Sequence, residues 1–214
     1  MSNSLDDLRR EYMSEGLIES DLCVNPLDQF EKWFSEVIDL KIDLANAMVL
    51  ATADSDGKPS ARYVLLKDYD DKGYIFYTNS LSRKGTELKE RTSAALLFYW
   101  KELNRQIRIE GNVHVLDSEK ADIYFKSRPR GSQISTCVAE QGVVIPNKEF
   151  MQQRVEDLNV EFKGMEVQKP KAWLGYQLEP QLYEFWQGQE NRLHDRLIYQ
   201  KQDANEWEIY RLAP

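Results

Sequence analysis

Histidine and cysteine are scarce in this chain, which has two of each among its 214 residues. The histidines, His114 and His194, are too few for a multi-histidine metal site, so we expect no bound metal. The cysteines, Cys23 and Cys137, lie far apart and lack metal-ligand spacing, so we expect unpaired thiols. We therefore do not expect a function that depends on a bound metal.

Long apolar runs are also missing. No stretch approaches the ~18 apolar residues of a membrane helix, and the polar N-terminus lacks the apolar core of a signal peptide. We therefore expect a cytoplasmic protein without a membrane partner. The net charge of −8 argues against nucleic acid as a partner as well. Where so acidic a chain gathers arginines locally, a bound anion is the expected reason.

Several standard motifs are absent: G-x-G-x-x-G, the P-loop, H-E-x-x-H, C-x-x-C and G-x-S-x-G. Hydrophobic residues make up 42% of the chain, which is ordinary for a globular protein with a real core. No repeat, low-complexity tract or clear linker divides it. We expect a flexible N-terminal arm over residues 1–25 and a single domain over residues 26–214.

Strand patterns dominate the chain, with helices inserted between them. A helix should open at Asn25-Pro26, and helices are also predicted from 83 to about 88, near 118–127, near 131–140 and over 148–163. Strands are predicted over 47–53, 60–67 and 74–78 as a meander, over 94–100 and 106–116, and near 173–178, 182–186, 196–201 and 207–212. The pattern predicts a mainly β (α+β) fold, an antiparallel barrel with peripheral helices. The apolar stripe predicted for the first helix is Leu27, Phe30, Phe34, Val37 and Ile38.

The run from Trp186 to Arg196 holds the most informative spacing. On a strand, Arg192, His194 and Arg196 would share one face, because side chains alternate. With Trp186 and a glycine turn just before them, they suit a flat ligand with acidic groups. The competing interpretation is an ordinary solvated strand face.

Three further groups could bind phosphate. Arg83 and Lys84 stand at a predicted helix start, where free N–H groups and the helix dipole favour an anion, although a basic surface turn is the alternative. Arg62 and Lys67 mark the ends of one predicted strand and should face opposite ways, or simply reach solvent. The last group is Tyr124, Arg128 and Ser132, which recur at helical spacing. Pro129 interrupts this spacing and should divide the segment into two helices.

At this point the motifs resemble those of the pyridoxine (pyridoxamine) 5′-phosphate oxidase family. The likeness runs from Leu8-Arg9-Arg10-Glu11-Tyr12 to Arg211-Leu212-Ala213-Pro214. Its most specific parts are Arg62–Lys67, Phe76-Tyr77-Thr78-Asn79, Ser82-Arg83-Lys84, Ser127-Arg128-Pro129-Arg130, Glu184-Phe185-Trp186-Gln187-Gly188 and Arg192-Leu193-His194-Asp195-Arg196. The resemblance implies an FMN-binding split barrel that works as a homodimer with FMN at the subunit interface.

The resemblance also implies site residues. FMN should contact Arg62, Tyr63, Val64, Leu65, Leu66, Lys67, Tyr77, Thr78, Arg83, Lys84, Gln106, Gln141, Gly142, Trp186 and Arg196. The substrate phosphate should meet Lys67, Tyr124, Arg128 and Ser132, and its ring should meet Arg192, Leu193 and His194, with Arg192 and His194 as the catalytic pair. Arg9 and Tyr12 should form a lid. One departure is Gly142, where the family usually has serine after the glutamine.

The implied activity is oxidation of pyridoxine 5′-phosphate or pyridoxamine 5′-phosphate to pyridoxal 5′-phosphate. A hydride passes from C4′ to flavin N5, and O₂ reoxidises FMN to give H₂O₂. Two alternatives stay open at this point. One is a split-barrel protein that binds flavin or pyridoxal phosphate without turnover, and the other is a flavin enzyme for another substrate.

Overall fold

The computed structural model describes residues 16–203 and 206–214. The predicted lid residues Arg9 and Tyr12 lie outside the described residues. The helices are α1 (Pro26–Asp39), α2 (Arg83–Glu90), α3 (Ser118–Ser127), α4 (Arg130–Cys137) and α5 (Lys148–Glu161). The strands are β1 (Ala47–Ala53), β2 (Pro59–Leu65), β3 (Asp68–Asp70), β4 (Gly73–Asn79), β5 (Ser93–Trp100), β6 (Arg105–Val115), β7 (Trp173–Gln187), β8 (Asp195–Asp203) and β9 (Glu206–Leu212).

The strands form one antiparallel sheet in the order β2-β1-β5-β6-β7-β4-β3. The long strand β7 pairs along one edge with β6. Its other edge is divided, because Trp173 to Leu178 pair with β4 whereas Leu182 to Gln187 pair with β8, which in turn pairs with β9. The sheet therefore branches at β7 and curls into a split barrel. This confirms the predicted antiparallel barrel with peripheral helices.

Two details of the strand prediction are wrong. The predicted meander fails because β2 pairs with β1, whereas β4 pairs with β3 and with the distant β7. The two strands predicted near 173–178 and 182–186 are one strand. Pro180 between them faces an irregular step in the β6–β7 ladder at Gly111, a position where proline is tolerated without ending the strand.

Helix α1 covers the main core. The Asn25 side chain accepts a hydrogen bond from the Leu27 N–H at 2.9 Å, and Pro26 takes the first helical position, as predicted. The buried face contains Phe30, Trp33 and Val37. Ile38, predicted to be buried, is 52% exposed, since it lies about 100° around the helix from Val37.

A second apolar cluster holds α3, α4 and α5 against the start of β7. Phe125, Ile134, Leu158 and Trp173 form its centre. Apolar side chains of the predicted helix over 148–163 pack into this cluster: Met151, Val155, Leu158 and Phe162. Helix α3 ends at Ser127 and α4 begins at Arg130, so the predicted break at Pro129 is confirmed.

The predicted shared strand face of Arg192, His194 and Arg196 is wrong. Glu190–Arg192 is a short 3-10 turn, and β8 begins only at Asp195, so Arg196 alone lies on a strand. Asn191 and Arg192 have φ values of 54° and 62°, in the left-handed region. Two consecutive left-handed residues turn the chain sharply, so side-chain alternation cannot extend across them.

Cys23 and Cys137 are free thiols, as predicted. Among the described helices, none is long and apolar enough to cross a membrane.

Candidate functional site

The first of two adjoining cavities, here called the basic cavity, has a volume of about 640 Å³. This lies within the range of about 300–1,000 Å³ that small-molecule sites occupy. Its walls come from β2, the end of β4, the start of α2 and the loop after α4. It is lined by Ser60, Ala61, Arg62, Tyr63, Val64, Leu65, Lys67, Tyr77, Thr78, Ser82, Arg83, Lys84, Gln141 and Gly142.

The start of α2 carries the cationic end of this cavity. Ser82 is the helix cap: its hydroxyl donates to the Asn79 carbonyl at 2.6 Å and accepts from the Gly85 N–H at 3.4 Å. Arg83 and Lys84 follow in the first turn. The helix N-terminus adds partial positive charge to theirs, an arrangement that favours phosphate.

Lys84 is only 8% exposed, and its ammonium group points at neutral oxygens. Its Nζ donates to Gln141 Oε1 at 3.0 Å, to Thr78 Oγ1 at 3.2 Å and to Ser82 Oγ at 3.3 Å. Burial, followed by repulsion from Arg62, lowers the pKa of Lys84, and Glu87 opposes this only in part. A buried cation held by neutral partners is suited to receive an anion.

Glu87 organises the cations of the basic cavity. Its Oε1 accepts from Arg83 Nε at 2.8 Å, and its Oε2 accepts from Thr52, Ser60 and Arg62. Burial alone would raise the pKa of Glu87, but the hydrogen bonds from Ser60, Thr52 and Arg83 outweigh burial and lower it to about 2. The carboxylate therefore stays ionised and fixes two guanidinium groups.

Arg62 and Lys67 both line the basic cavity, although strand alternation predicts opposite faces. The reason is that β2 ends at Leu65, so alternation no longer governs Lys67, whose N–H donates to the Ile75 carbonyl at 2.9 Å. Leu66, between them, is buried in the core and lines neither cavity.

The second cavity, here called the aromatic cavity, has a volume of about 480 Å³ and shares Tyr77, Thr78, Gln141 and Gly142 with the basic cavity. Arg128 lines it, donating from Nη1 to Thr136 Oγ1 at 2.7 Å, with its guanidinium 5.0 Å from the Trp173 ring centre. Burial lowers the pKa of Arg128. The half-buried guanidinium therefore lies in the wall of this cavity, where α3, α4 and the start of β7 meet.

Three stacked rings connect the cavities. The Tyr77 ring lies 4.1 Å from that of Tyr124 and 5.1 Å from that of Trp173, with interplanar angles of 17° and 12°. Gly175 allows this packing, because a Cβ there would stand 2.8 Å from Tyr77 Cε1. Tyr124 lines neither cavity and contacts their shared wall through Tyr77. The half-buried Ser132, on α4, also lines neither cavity.

Gly142 has φ of +93°, a backbone conformation that favours glycine. A serine at this position would be strained although the space around it is open. The departure from the usual family residue therefore agrees with the local backbone.

Three predicted flavin contacts form a separate row across β6, β7 and β8. Gln106 pairs with Trp186, and Trp186 pairs with Arg196, so their side chains share one face. None of the three lines either cavity within the described part of this chain. We call them the cross-strand row.

Glu184 supports the cross-strand row from the same face of β7. It is buried, and its Oε1 accepts from Arg196 Nε at 2.7 Å while its Oε2 accepts from Arg108 Nη2 at 2.5 Å. Burial would raise the pKa of Glu184, but these hydrogen bonds outweigh it, so the pKa is lowered. Arg196 Nη1 also donates to the Ala213 carbonyl at 3.0 Å.

The predicted ring-binding residues lie next to this row. The His194 ring stands 4.7 Å from that of Trp186, and its Nδ1 accepts from the Gln189 N–H at 3.1 Å. Arg192 and Leu193 are exposed on the turn before β8. Apart from Leu66, Tyr124 and Ser132, the predicted site residues that the structure describes therefore fall into two groups, one around the cavities and one around the cross-strand row.

Some residues of these groups were missed by sequence reasoning. Glu87 stands four residues after Arg83 on α2, a helical spacing that could have identified the pair. Glu184 lies two positions before Trp186, on the same strand face, which was a usable signal. Thr136 had no signal, because its contact with Arg128 depends on the break between α3 and α4.

Comparisons with known proteins agree with these features. Residues 34–161 match the family described as pyridoxamine 5′-phosphate oxidase, and residues 173–214 match a pyridoxine 5′-phosphate oxidase C-terminal dimerisation region. The chain is 47% identical to a pyridoxine/pyridoxamine 5′-phosphate oxidase of Cyanothece sp., covering 100% of both chains. It is 46% identical to one from Acaryochloris marina, covering 99% of this chain and 96% of that one.

Solved structures share the fold. PhzG from Burkholderia lata, crystallised with tetrahydrophenazine-1-carboxylic acid, superposes with a TM-score of 0.86 at 32% identity, covering 94% of this chain and 98% of that one. An FMN-binding protein from Nostoc punctiforme, related to pyridoxamine 5′-phosphate oxidase, gives a TM-score of 0.71 at 15% identity, covering 90% and 100%. The second likeness concerns the fold alone.

Proposed function

The chain belongs to the pyridoxamine 5′-phosphate oxidase family, and we infer that it oxidises pyridoxine 5′-phosphate and pyridoxamine 5′-phosphate to pyridoxal 5′-phosphate with FMN. Full-length identity of 46–47% to enzymes of that name carries the inference. It is an FMN-dependent oxidoreductase that uses O₂ as electron acceptor. We propose a cytoplasmic location for it.

The basic cavity fits the phosphate of FMN. Arg62, Arg83 and Lys84 converge there, and the one carboxylate of Glu87 pairs with the two arginines, so positive charge is left over for an anion. Arg and Lys donors at a helix N-terminus are the groups that phosphate requires. The remaining predicted flavin residues of this cavity would hold the rest of the cofactor: Tyr63, Val64, Leu65, Lys67, Tyr77, Thr78, Gln141 and Gly142.

When bound, FMN would supply the redox chemistry, namely hydride acceptance from the substrate and electron transfer to oxygen. The protein binds and orients. Lys67, Tyr124, Arg128 and Ser132 would bind the substrate phosphate, far from the reacting carbon, so that binding energy is used for positioning. Arg192 and His194 would hold the substrate ring, where orientation most affects rate.

We propose that a second subunit completes each site. The cross-strand row is separate from the basic cavity in one chain, and Trp186 and Arg196 lie inside the region that matches a dimerisation region. In a symmetric dimer, the row of one subunit would face the basic cavity of the other. Arg196 would then supply positive charge to the reduced flavin ring.

Subunit mixing tests this arrangement. At an FMN concentration that saturates the wild-type protein but not Lys84→Met, the Lys84→Met substitution disables the cavity and Arg196→Ala disables the row. If each site combines both subunits, a random mixture regains about a quarter of wild-type activity, because half the dimers are mixed and each has one intact site. If cavity and row serve the same site within one chain, mixed dimers stay inactive.

The activity is tested by anaerobic reduction. Purified protein reconstituted with FMN should be yellow, and adding pyridoxine 5′-phosphate or pyridoxamine 5′-phosphate without oxygen should bleach the flavin absorbance. Air should restore the colour and release pyridoxal 5′-phosphate. Flavin that binds but is bleached by neither substrate would contradict the proposed oxidase.

A further inference from the structure

Asp195 lies between His194 and Arg196 in the sequence, but its carboxylate is held by other residues. Its Oδ2 accepts from the Leu17 N–H at 3.0 Å and from Gln189 Nε2 at 2.8 Å, and its Oδ1 accepts from Arg211 Nη1 at 2.5 Å. The donors come from the N-terminal part of the chain, from the turn before β8 and from β9. We call the four residues the Asp195 clamp.

Arg211 closes the clamp on the N-terminal side. Its Nη2 donates to the Leu17 carbonyl at 2.8 Å, so the Leu17 N–H is held by Asp195 and the carbonyl by Arg211. Glu19 accepts from Arg211 Nε at 2.8 Å. The Leu17 side chain is buried in the main core, so this part of the chain is fixed by packing as well as by hydrogen bonds.

Gln189 carries the constraint to the ring-binding residues. Its side-chain amide is held by Asp195, while its main-chain N–H donates to His194 Nδ1. Residues 190–192 turn between these two bonds, through the left-handed Asn191 and Arg192. Through Gln189, the Asp195 carboxylate therefore holds the turn that carries Arg192.

Both carboxylate oxygens act only as acceptors, which an amide cannot reproduce. Asparagine has one acceptor oxygen and one NH₂ group. In either orientation, the NH₂ of an Asp195→Asn side chain would face donors: Arg211 on one side, or Leu17 and Gln189 on the other. The substitution preserves shape but opens the clamp.

We propose that Asp195 is a positioning residue for turnover, acting through Gln189 on Arg192 and His194. This rests on the proposed function, in which those two side chains hold the substrate ring. Arg196 is held separately by Glu184 and Ala213, so the clamp can open without releasing it. FMN binding and substrate turnover should therefore respond differently.

The test compares Asp195→Asn with Glu179→Gln, which breaks an ion pair between Glu179 on β7 and Lys201 on β8, away from the site. For Asp195→Asn, kcat/KM should fall about 10–100-fold, the range expected from small misplacement, while FMN affinity stays within about twofold. In the FMN-free protein, hydrogen exchange at the Leu17 and Gln189 amides should speed up. Glu179→Gln should change neither property.

Unchanged kcat/KM in Asp195→Asn would overturn the proposal, as would a fall in turnover matched by an equal loss of FMN. Gln189→Met, which removes the side-chain amide bond to Asp195, gives a milder second variant and should lower kcat/KM with FMN affinity intact. Absence of turnover in the wild-type protein would contradict the proposed function instead, and the exchange measurement still tests the clamp.

Discussion

Replacing Lys84 by methionine tests the basic cavity most directly. Methionine keeps the side chain as far as Cε but removes the ammonium group that donates to Thr78, Ser82 and Gln141. A hydrogen bond to a charged group contributes about 1.5–3 kcal/mol. If Lys84 binds the FMN phosphate, the Kd for FMN should rise roughly 10–100-fold, since about 1.4 kcal/mol is tenfold.

Riboflavin, which lacks the phosphate, provides the internal comparison. Its affinity should be similar in the wild-type protein and in Lys84→Met, because the lost interaction is with the phosphate alone. The cofactor-free variant should also keep its stability. Burial lowers the pKa of Lys84, so the folded protein does not favour that charge, and replacing a buried charge with an apolar side chain is often neutral.

The assay is quenching of flavin fluorescence during titration of cofactor-free protein. Lys89→Met is the matched control, because Lys89 is exposed in the last turn of the same helix. Equal losses of FMN and riboflavin affinity would mean that Lys84 shapes the cavity rather than binding phosphate. Unchanged FMN affinity would refute the assignment of the basic cavity.

Four further predictions follow from the described contacts. FMN affinity of the wild-type protein should fall as pH rises through the lowered pKa of Lys84, because the charged form binds phosphate, and titrations in alkaline buffers measure this. Glu87→Gln should cost about 2–4 kcal/mol of stability at neutral pH, measured by urea unfolding, since an amide cannot accept on both sides. Because the pKa of Glu87 is lowered to about 2, the wild-type advantage should be lost as pH falls from about 4.5 toward 2. Gly175→Ala should cost about 1–3 kcal/mol in thermal unfolding by forcing Tyr77 to move. Arg192→Ala should sharply reduce turnover in a steady-state assay while FMN stays bound.

Each of these has a contrary outcome. A wild-type FMN affinity that does not change with pH, or a pH dependence that persists in Lys84→Met, would show that Lys84 is not the titrating group. A Glu87→Gln protein with wild-type stability at pH 7 would mean that Arg62 and Arg83 find other partners. Unfolding of Gly175→Ala at the wild-type temperature would show that the ring stack has room, and full turnover of Arg192→Ala would contradict its role.

Local patterns predicted the individual elements well. Strand β1 was predicted with the same limits that the structure gives, and the cap at Asn25-Pro26 and the break at Pro129 are both present. These features depend on a few neighbouring residues, whose preferences for caps, turns and alternation act locally. Pairing across the sheet was not predictable in the same way, and the meander was wrong for that reason.

The candidate site depends on non-local contacts to a greater degree. The cross-strand row exists only because three strands pair in one register, which no single segment specifies. Neither of the left-handed residues Asn191 and Arg192 is a glycine, so the sequence does not indicate the turn that they form. Strand alternation of side chains was therefore predicted where the chain turns. The family resemblance indicated which residues act together, whereas the carboxylates of Glu87 and Glu184 that hold the arginines are seen only in the structure.

The divided edge of β7 makes this strand a shared reference for both halves of the site. Near its start it faces Tyr77 and Thr78 on β4, and near its end it faces Arg196 on β8. An insertion of one residue between these regions would turn every later side chain to the opposite face of the sheet. Trp186 and Glu184 would then point into the core while the cavity side stayed intact. Length changes in this strand should therefore be tolerated far less than in the exposed turns at its neighbours' ends, which makes β7 the wrong place for tags, permutation points or inserted domains.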